Sequence, residues 1–201
     1  MKKIIITMLM LLSVVLHAEE VMGNSKIILG ETLPAVSLEG GAGELIREQQ
    51  SLVYHRWNSE SLVGRAHMLY IVAARMGVDK INQPLLDAIE AAGGLERYPV
   101  HAVQVISMIN IDDVFPMGQS FARSAFETAR NDEKNAHARF VLDDSSTVQK
   151  AWGLKRKNSA VILLDRDGRV VRFREGRLTE KDIADYLSVL DGFVEEYSHE
   201  R

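Results

Sequence analysis

AHMLYIVAARMGVDKINQPLLDAIEAA, residues 66–92, changes its hydrophobic period partway along. Met68 to Ala74 is apolar on both faces, and Tyr70, Ile71 and Val72 favour extended backbone, which predicts a buried strand. Arg75-Met76-Gly77 breaks the run. Ile81, Leu85, Ala88, Ile89 and Ala92 then recur at helical spacing. A strand that feeds straight into a helix leaves its connecting loop at the carboxyl end of the sheet, where open α/β folds usually keep their chemistry. This loop has no obvious nucleophile, no cysteine and no pair of metal ligands.

Upstream, Val36 to Leu38 and Leu52 to Trp57 read as two short strands around the turn Gly40-Gly41-Ala42-Gly43. They predict an N-terminal hairpin extension, with Glu44 to Gln50 as a polar lead-in. Downstream, Gly93-Gly94 ends the helix. Val100 to Ile109 reads as a second buried strand that runs into Asn110-Ile111-Asp112-Asp113. Gln119 to Lys134 predicts a helix with Phe121, Ala122, Ala125, Phe126 and Ala129 inward. Ala138 to Leu142 is a short strand, and Ser145 to Trp152 a short helix capped by Asp144 or Ser145. Val161 to Leu164 and Val170 to Phe173 flank Asp165-Arg166-Asp167-Gly168, whose Asp-Gly pair signals a tight hairpin turn. Thr179 caps a last helix with Ile183, Tyr186, Leu187, Leu190, Phe193, Val194 and Tyr197 on one face. With no internal repeat or linker, residues 19–201 are expected to form a single domain.

Lys2 and Lys3, the apolar run Ile4 to Leu16 and the small Ala18 have the layout of a secretory signal peptide, with cleavage expected after Ala18. The run is too short to serve comfortably as a membrane span. Removing residues 1–18 takes away two lysines and no acid, so the net charge of −4 becomes −6. An acidic chain without a basic run is a poor nucleic-acid binder. Cysteine is absent, which excludes disulfides, thiol redox chemistry and thiolate metal sites. No G-x-S-x-G elbow or phosphate-cradling glycine loop occurs, and neither a metal nor a cofactor is expected.

The element order, strands alternating with helices and closed by a hairpin and one more helix, resembles a thioredoxin-like three-layer α/β sandwich with a central mixed sheet. Met76-Gly77-Val78-Asp79 stands where thioredoxins carry Cys-Gly-Pro-Cys, and Pro84 matches the proline that interrupts their first helix. Ser159 stands where thioredoxins place a cis-proline facing the cysteines, so both halves of the redox site are missing together. More narrowly, three groups of segments are similar to the YtfJ family of small periplasmic proteins from Gram-negative bacteria. They are Trp57-Asn58-Ser59 with Leu62-Val63-Gly64; Asn110 to Asp113 with Pro116 and Arg123-Ser124; and Ser159 to Leu164 with Asp165 to Val170. The resemblance covers essentially the whole mature chain. It implies a cysteine-free thioredoxin-like domain in the periplasm and no established activity.

Arg75, Met76, Asp79, Lys80, Asn82, Asp112, Asp113 and Ser159 are the candidate ligand-binding residues, expected to converge on one polar mouth at the carboxyl edge of the sheet. Such a mouth can hold a peptide end or a small zwitterion, its guanidinium gripping a carboxylate. The alternative is a set of loop and cap residues in ordinary ion pairs. A binding or interaction module without redox activity is the first reading. The second is a cysteine-free enzyme using Arg75, Lys80 and Asp112 as electrostatic or acid–base groups. Asp112-Asp113 and Asp165 to Gly168 superficially suit a hard cation, but turn and hairpin chemistry explains both. His67 and His101, at the starts of adjacent strands, are expected to be structural.

Overall fold

A computed structural model describes residues 25–114 and 116–199, so the expected signal peptide lies outside the described residues. The strands are β1 (Ser37–Leu38), β2 (Gly43–Glu48), β3 (Ser51–His55), β4 (Trp57–Asn58), β5 (Ala66–Ala73), β6 (Val103–Asn110), β7 (Arg139–Asp143), β8 (Ser159–Leu164) and β9 (Val170–Glu175). The helices are α1 (Gln83–Ala91), α2 (Gly94–Arg97), α3 (Pro116–Asn131), α4 (Thr147–Trp152) and α5 (Glu180–His199). Among the described residues, seven strands make one mixed sheet in the order β3-β2-β7-β6-β5-β8-β9, with β5, β6 and β7 parallel and the other pairings antiparallel.

The central strand β5 is buried along its whole length, as its two-sided apolar sequence requires. Alternate residues feed separate cores. Leu69 and Ile71 pack with Ile106, Met108, Val141 and Ile162 beneath α4, where Val148 and Trp152 meet Trp57 and Leu38. Met68, Tyr70 and Val72 face the other way, against Leu85 of α1 and Tyr186, Leu190 and Phe193 of α5. A third cluster seats Phe126 of α3 on Phe140, Leu142 and Leu45. Helices thus cover both faces of the sheet, and the βαβ crossover from β5 through α1 to β6 is present.

The hairpin extension differs from the expected one. Glu44 to Glu48, expected as a lead-in, is strand β2, paired with β3 through Leu45↔Tyr54 and Arg47↔Leu52. Leu38 instead pairs with Trp57 in a separate two-stranded sheet. The cause is the half-buried character of β2: only Gly43 and Leu45 are fully covered, so its charged residues read as a loop. β6 starts at Val103 rather than Val100, because Pro99 O accepts from both Ala102 N and Val103 N in a turn. Phe121 and Ala125, expected to face inward, are exposed, Phe121 at 78%, because the buried stripe of α3 is centred on Phe126.

One cap and one turn also differ in detail. The carboxylate of Asp143, not Asp144 or Ser145, accepts from Thr147 N at 2.8 Å and Val148 N at 2.9 Å at the start of α4. Burial pushes the Asp143 carboxyl up, and these backbone N–H bonds oppose that rise. The turn after β8 has a left-handed backbone only at Gly168 (φ 77°), with Asp165 Oδ1 accepting from Asp167 N and Arg169 N. A type I turn followed by a left-handed glycine gives that pattern. Thr179 caps α5 as expected, its Oγ1 accepting from Asp182 N while Asp182 Oδ2 accepts from Thr179 N.

His67 is buried at the amino end of β5, its Nδ1 2.9 Å from Arg65 O. Burial lowers its pKa from 6.5 to about 4. Between those values the unfolded chain binds this proton and the folded chain does not. Stability from this residue is therefore complete above pH 6.5 and is lost on descent to about pH 4. The loss is worth up to about 3 kcal/mol. Urea melts of wild type and His67→Asn from pH 7 to 4 check this: the wild-type slope is expected to be steeper. Parallel slopes would assign the acid sensitivity elsewhere.

Candidate functional site

The loop after β5 carries the chain from sheet to helix by a run of tight turns. Val78 N donates to Arg75 O, Lys80 N to Gly77 O, Ile81 N to Val78 O and Gln83 N to Lys80 O. These are i→i−3 bonds, so α1 starts only at Gln83. Pro84 accordingly lies in the first turn of α1 and does not kink a longer helix; the missing N–H costs nothing there.

Asn82 holds this loop down from below. It is 1% exposed and uses both amide hydrogens and its carbonyl. Nδ2 donates to Ser159 Oγ at 3.0 Å and to Gly176 O at 2.9 Å, while Oδ1 accepts from Leu178 N at 2.9 Å. One side chain therefore stitches the β5–α1 loop to the start of β8 and to the β9–α5 connection. Ser159 is itself buried and lies opposite Val72 in the ladder, so it does sit beside the loop. Among the described residues no peptide bond is cis. Ser159, expected at the cis-proline place, is an internal acceptor for Asn82.

The β6–α3 loop leaves the sheet alongside, tied by Ala74 N donating to Asn110 O at 2.8 Å. Asp112 accepts from Ser146 Oγ at 2.9 Å, and Ser146 also accepts from Asn110 Nδ2 at 2.9 Å. Asp113 has a side chain only 1% exposed. Its oxygens accept from Arg156 Nε and Lys157 N, both at 2.8 Å, latching the segment before β8 onto this loop. Beneath these groups lies a cavity of about 20 Å³ among Asn110, Asp143, Gln149, Asn158 and Ser159. That is room for about one water molecule and for no larger ligand.

The eight candidate residues therefore divide. Asn82, Asp112, Asp113 and Ser159 spend their polar atoms on internal bonds. Arg75, Met76, Asp79 and Lys80 are exposed, Met76 completely, and no hydrogen bond or ion pair engages the three charged side chains among the described residues. Val78 is buried below them, and Tyr70 Oη donates to Asp79 O at 3.0 Å. No bond joins Asp112 to Arg75 or Lys80, the trio a cysteine-free enzyme was expected to use. Among the described residues no three His, Asp or Glu side chains are placed to hold a metal ion. Nothing in the local sequence could have revealed the Asn82 connections, whose partners lie 77, 94 and 96 residues away.

The fold has solved counterparts. A protein from Bacteroides thetaiotaomicron described as a protein disulfide isomerase superposes with a TM-score of 0.56 at 18% identity, covering 89% of this chain and 97% of its own. At that identity the likeness shows a thioredoxin-like fold and nothing of activity, and this chain has no cysteine with which to exchange disulfides. An uncharacterized protein of Haemophilus influenzae is 31% identical over 166 residues, 83% of this chain and 86% of its own. The Escherichia coli uncharacterized protein YtfJ is 30% identical over 161 residues, 80% of this chain and 84% of its own. The profile of a bacterial family described as of unknown function, YtfJ_HI0045, matches residues 27–192. With that much of its length matched, the chain belongs to the YtfJ_HI0045 family, here as a thioredoxin-like domain without cysteine.

Proposed function

We propose that this protein is exported to the periplasm, loses residues 1–18, and serves there as a non-redox binding module for a peptide or protein partner. Its contact surface is the β5–α1 loop, with Arg75, Met76, Asp79 and Lys80 as the groups that touch the partner. The observation that carries the reading is the contrast within that loop: a fully exposed methionine among uncommitted charges, above a base fixed by buried hydrogen bonds. Methionine adapts its shape to an apolar partner surface, and the flanking charges select orientation.

Fractionation of cells producing a C-terminally tagged chain tests the export half. The tagged product is expected in the periplasm with Glu19 as its first residue. A product retained in the cytoplasm at full length overturns it. Photo-crosslinking tests the binding half, with the crosslinker at position 76 and, as control, at exposed position 195 on α5. A discrete adduct is expected from position 76 alone, lost when Arg75 and Lys80 are both changed to alanine. The same adducts from both positions, or none from either, overturn the reading.

A further inference from the structure

Among the described residues, one edge of the sheet is guarded and the other is open. Along β9, Gly30 N donates to Val170 O at 2.8 Å and Val170 N to Glu31 O at 2.9 Å, and Arg172 and Arg174 stand on the strand. β3, the other edge, reads Ser-Leu-Val-Tyr-His and carries no lysine, proline or bulge, the usual protections of an exposed edge. The turn Gln49-Gln50 closes on the pair Glu48↔Ser51, so Ser51, Val53 and His55 direct their N–H and C=O groups at β2. Those of Leu52 and Tyr54 point outward. Leu45 O, which the same alternation turns away from β3, accepts from Arg130 Nε at 3.4 Å. Among the described residues no group bonds the outward N–H or C=O of Leu52 or Tyr54.

The two faces of β3 differ. Leu52 and Tyr54 lay their side chains against the Phe126 cluster beneath α3. Val53 and its ladder partner Ile46 face the other way, 37% and 36% exposed, and join none of the three cores. The charges around this pair are matched within the chain. His55 Nε2 lies 2.7 Å from Glu48 Oε1, Arg139 holds Glu44 with bonds of 2.7 and 2.6 Å, Arg47 reaches Asn131, and Arg56 pairs with Glu39 at 3.2 Å. The hairpin is therefore a charge-balanced edge on a chain whose net charge is −4.

We propose that β3 is the docking edge for a second copy of this chain, the two β3 strands pairing antiparallel about a two-fold axis at Val53. In that register Leu52 lies opposite Tyr54 of the second copy, and every outward N–H meets an outward C=O. Val53 meets its own copy in a non-bonded pair, where side chains approach most closely. Ile46, Val53 and their copies then form one apolar row across β2, β3 and the two copied strands, which covers the exposed pair. A second copy is favoured over a foreign strand because it brings a matching Ile46 to the same row. Ser51 opposite His55 also places no like charges across the axis. β3 is separated from β5 by β2, β7 and β6, so pairing leaves the β5–α1 loop uncovered and neither reading needs the other.

Sedimentation of the purified protein from about 10 μM to about 1 mM tests this, and dimers are expected with Kd on the order of 100 μM for so small a contact. Hydrogen exchange resolved to single amides locates the contact. The Leu52 and Tyr54 amides are expected to exchange freely in dilute protein and about fivefold more slowly at the highest concentration. The Val53 amide, bonded to β2 throughout, is expected to change little. Val53→Lys sets two ammoniums against each other across the axis. It is expected to weaken association about tenfold or more, with an unchanged melting temperature because the site is exposed. A protein that stays monomeric overturns the proposal; if an added valine–threonine peptide then slows the same two amides, β3 is a site for foreign strands. A dimer in which those amides stay fast overturns it too, since the contact then lies elsewhere. So does undiminished association of Val53→Lys. The exchange comparison uses the unaltered protein and stands even if the variant fails to fold.

Discussion

Replacing Asn82 with alanine is expected to destabilise the protein by about 3 to 4 kcal/mol. The truncation leaves Leu178 N and Gly176 O without their partner, and it removes the acceptor-filling donor from Ser159 Oγ. A buried donor or acceptor left unmade costs its desolvation, about 1–3 kcal/mol each, and the small void adds to that. Ser159→Ala removes one bond of the three and is expected to cost only about 1 kcal/mol. Urea unfolding followed by far-ultraviolet circular dichroism gives the two values. Hydrogen exchange at the Leu178 amide gives a local check: it should accelerate in Asn82→Ala well beyond the change in global stability. An amide that stays equally protected would mean that Asn82 does not hold the β9–α5 connection.

Gly43→Ala is expected to be at least as damaging, at about 4 kcal/mol. Gly43 has φ 105°, a region that side chains avoid, and an added Cβ would lie 2.2 Å from His55 O. That oxygen is backbone of β3, on the strand paired with β2, so it cannot yield without opening the ladder. Gly40 supplies the comparison. Its φ of 69° is also left-handed, but a Cβ there meets nothing within 4 Å. Gly40→Ala should therefore cost only the conformational strain, about 1–2 kcal/mol. Equal losses at the two positions would show that strain alone, not the collision with His55, is at work.

Much of the fold was legible because its strongest signals are local. The two-sided apolar run of β5, the Asp165–Gly168 turn and the Thr179 cap each lie within a few residues of the structure they specify. β2 was missed because half of it faces water, and its Glu-Leu-Ile-Arg-Glu sequence shows the solvent as much as the core. The candidate mouth was legible as a place and not as a set of contacts. Chain order brings the loops after β5 and β6 to one edge, but only tertiary packing decides which side chains turn inward. Asn82 and Asp113 turned inward, and Arg75 and Lys80 did not.

Both tryptophans of the chain, Trp57 and Trp152, stand edge to face in the layer beneath α4, with ring centroids 6.5 Å apart. The layer that carries α1, α5 and the base of the β5–α1 loop has none. Intrinsic indole emission is therefore a one-sided witness: it will register the loosening of the α4 half and stay quiet while the other half opens. A stability scan read by fluorescence alone would pass over the part of the molecule where ligands are expected to act, unless a reporter is placed there.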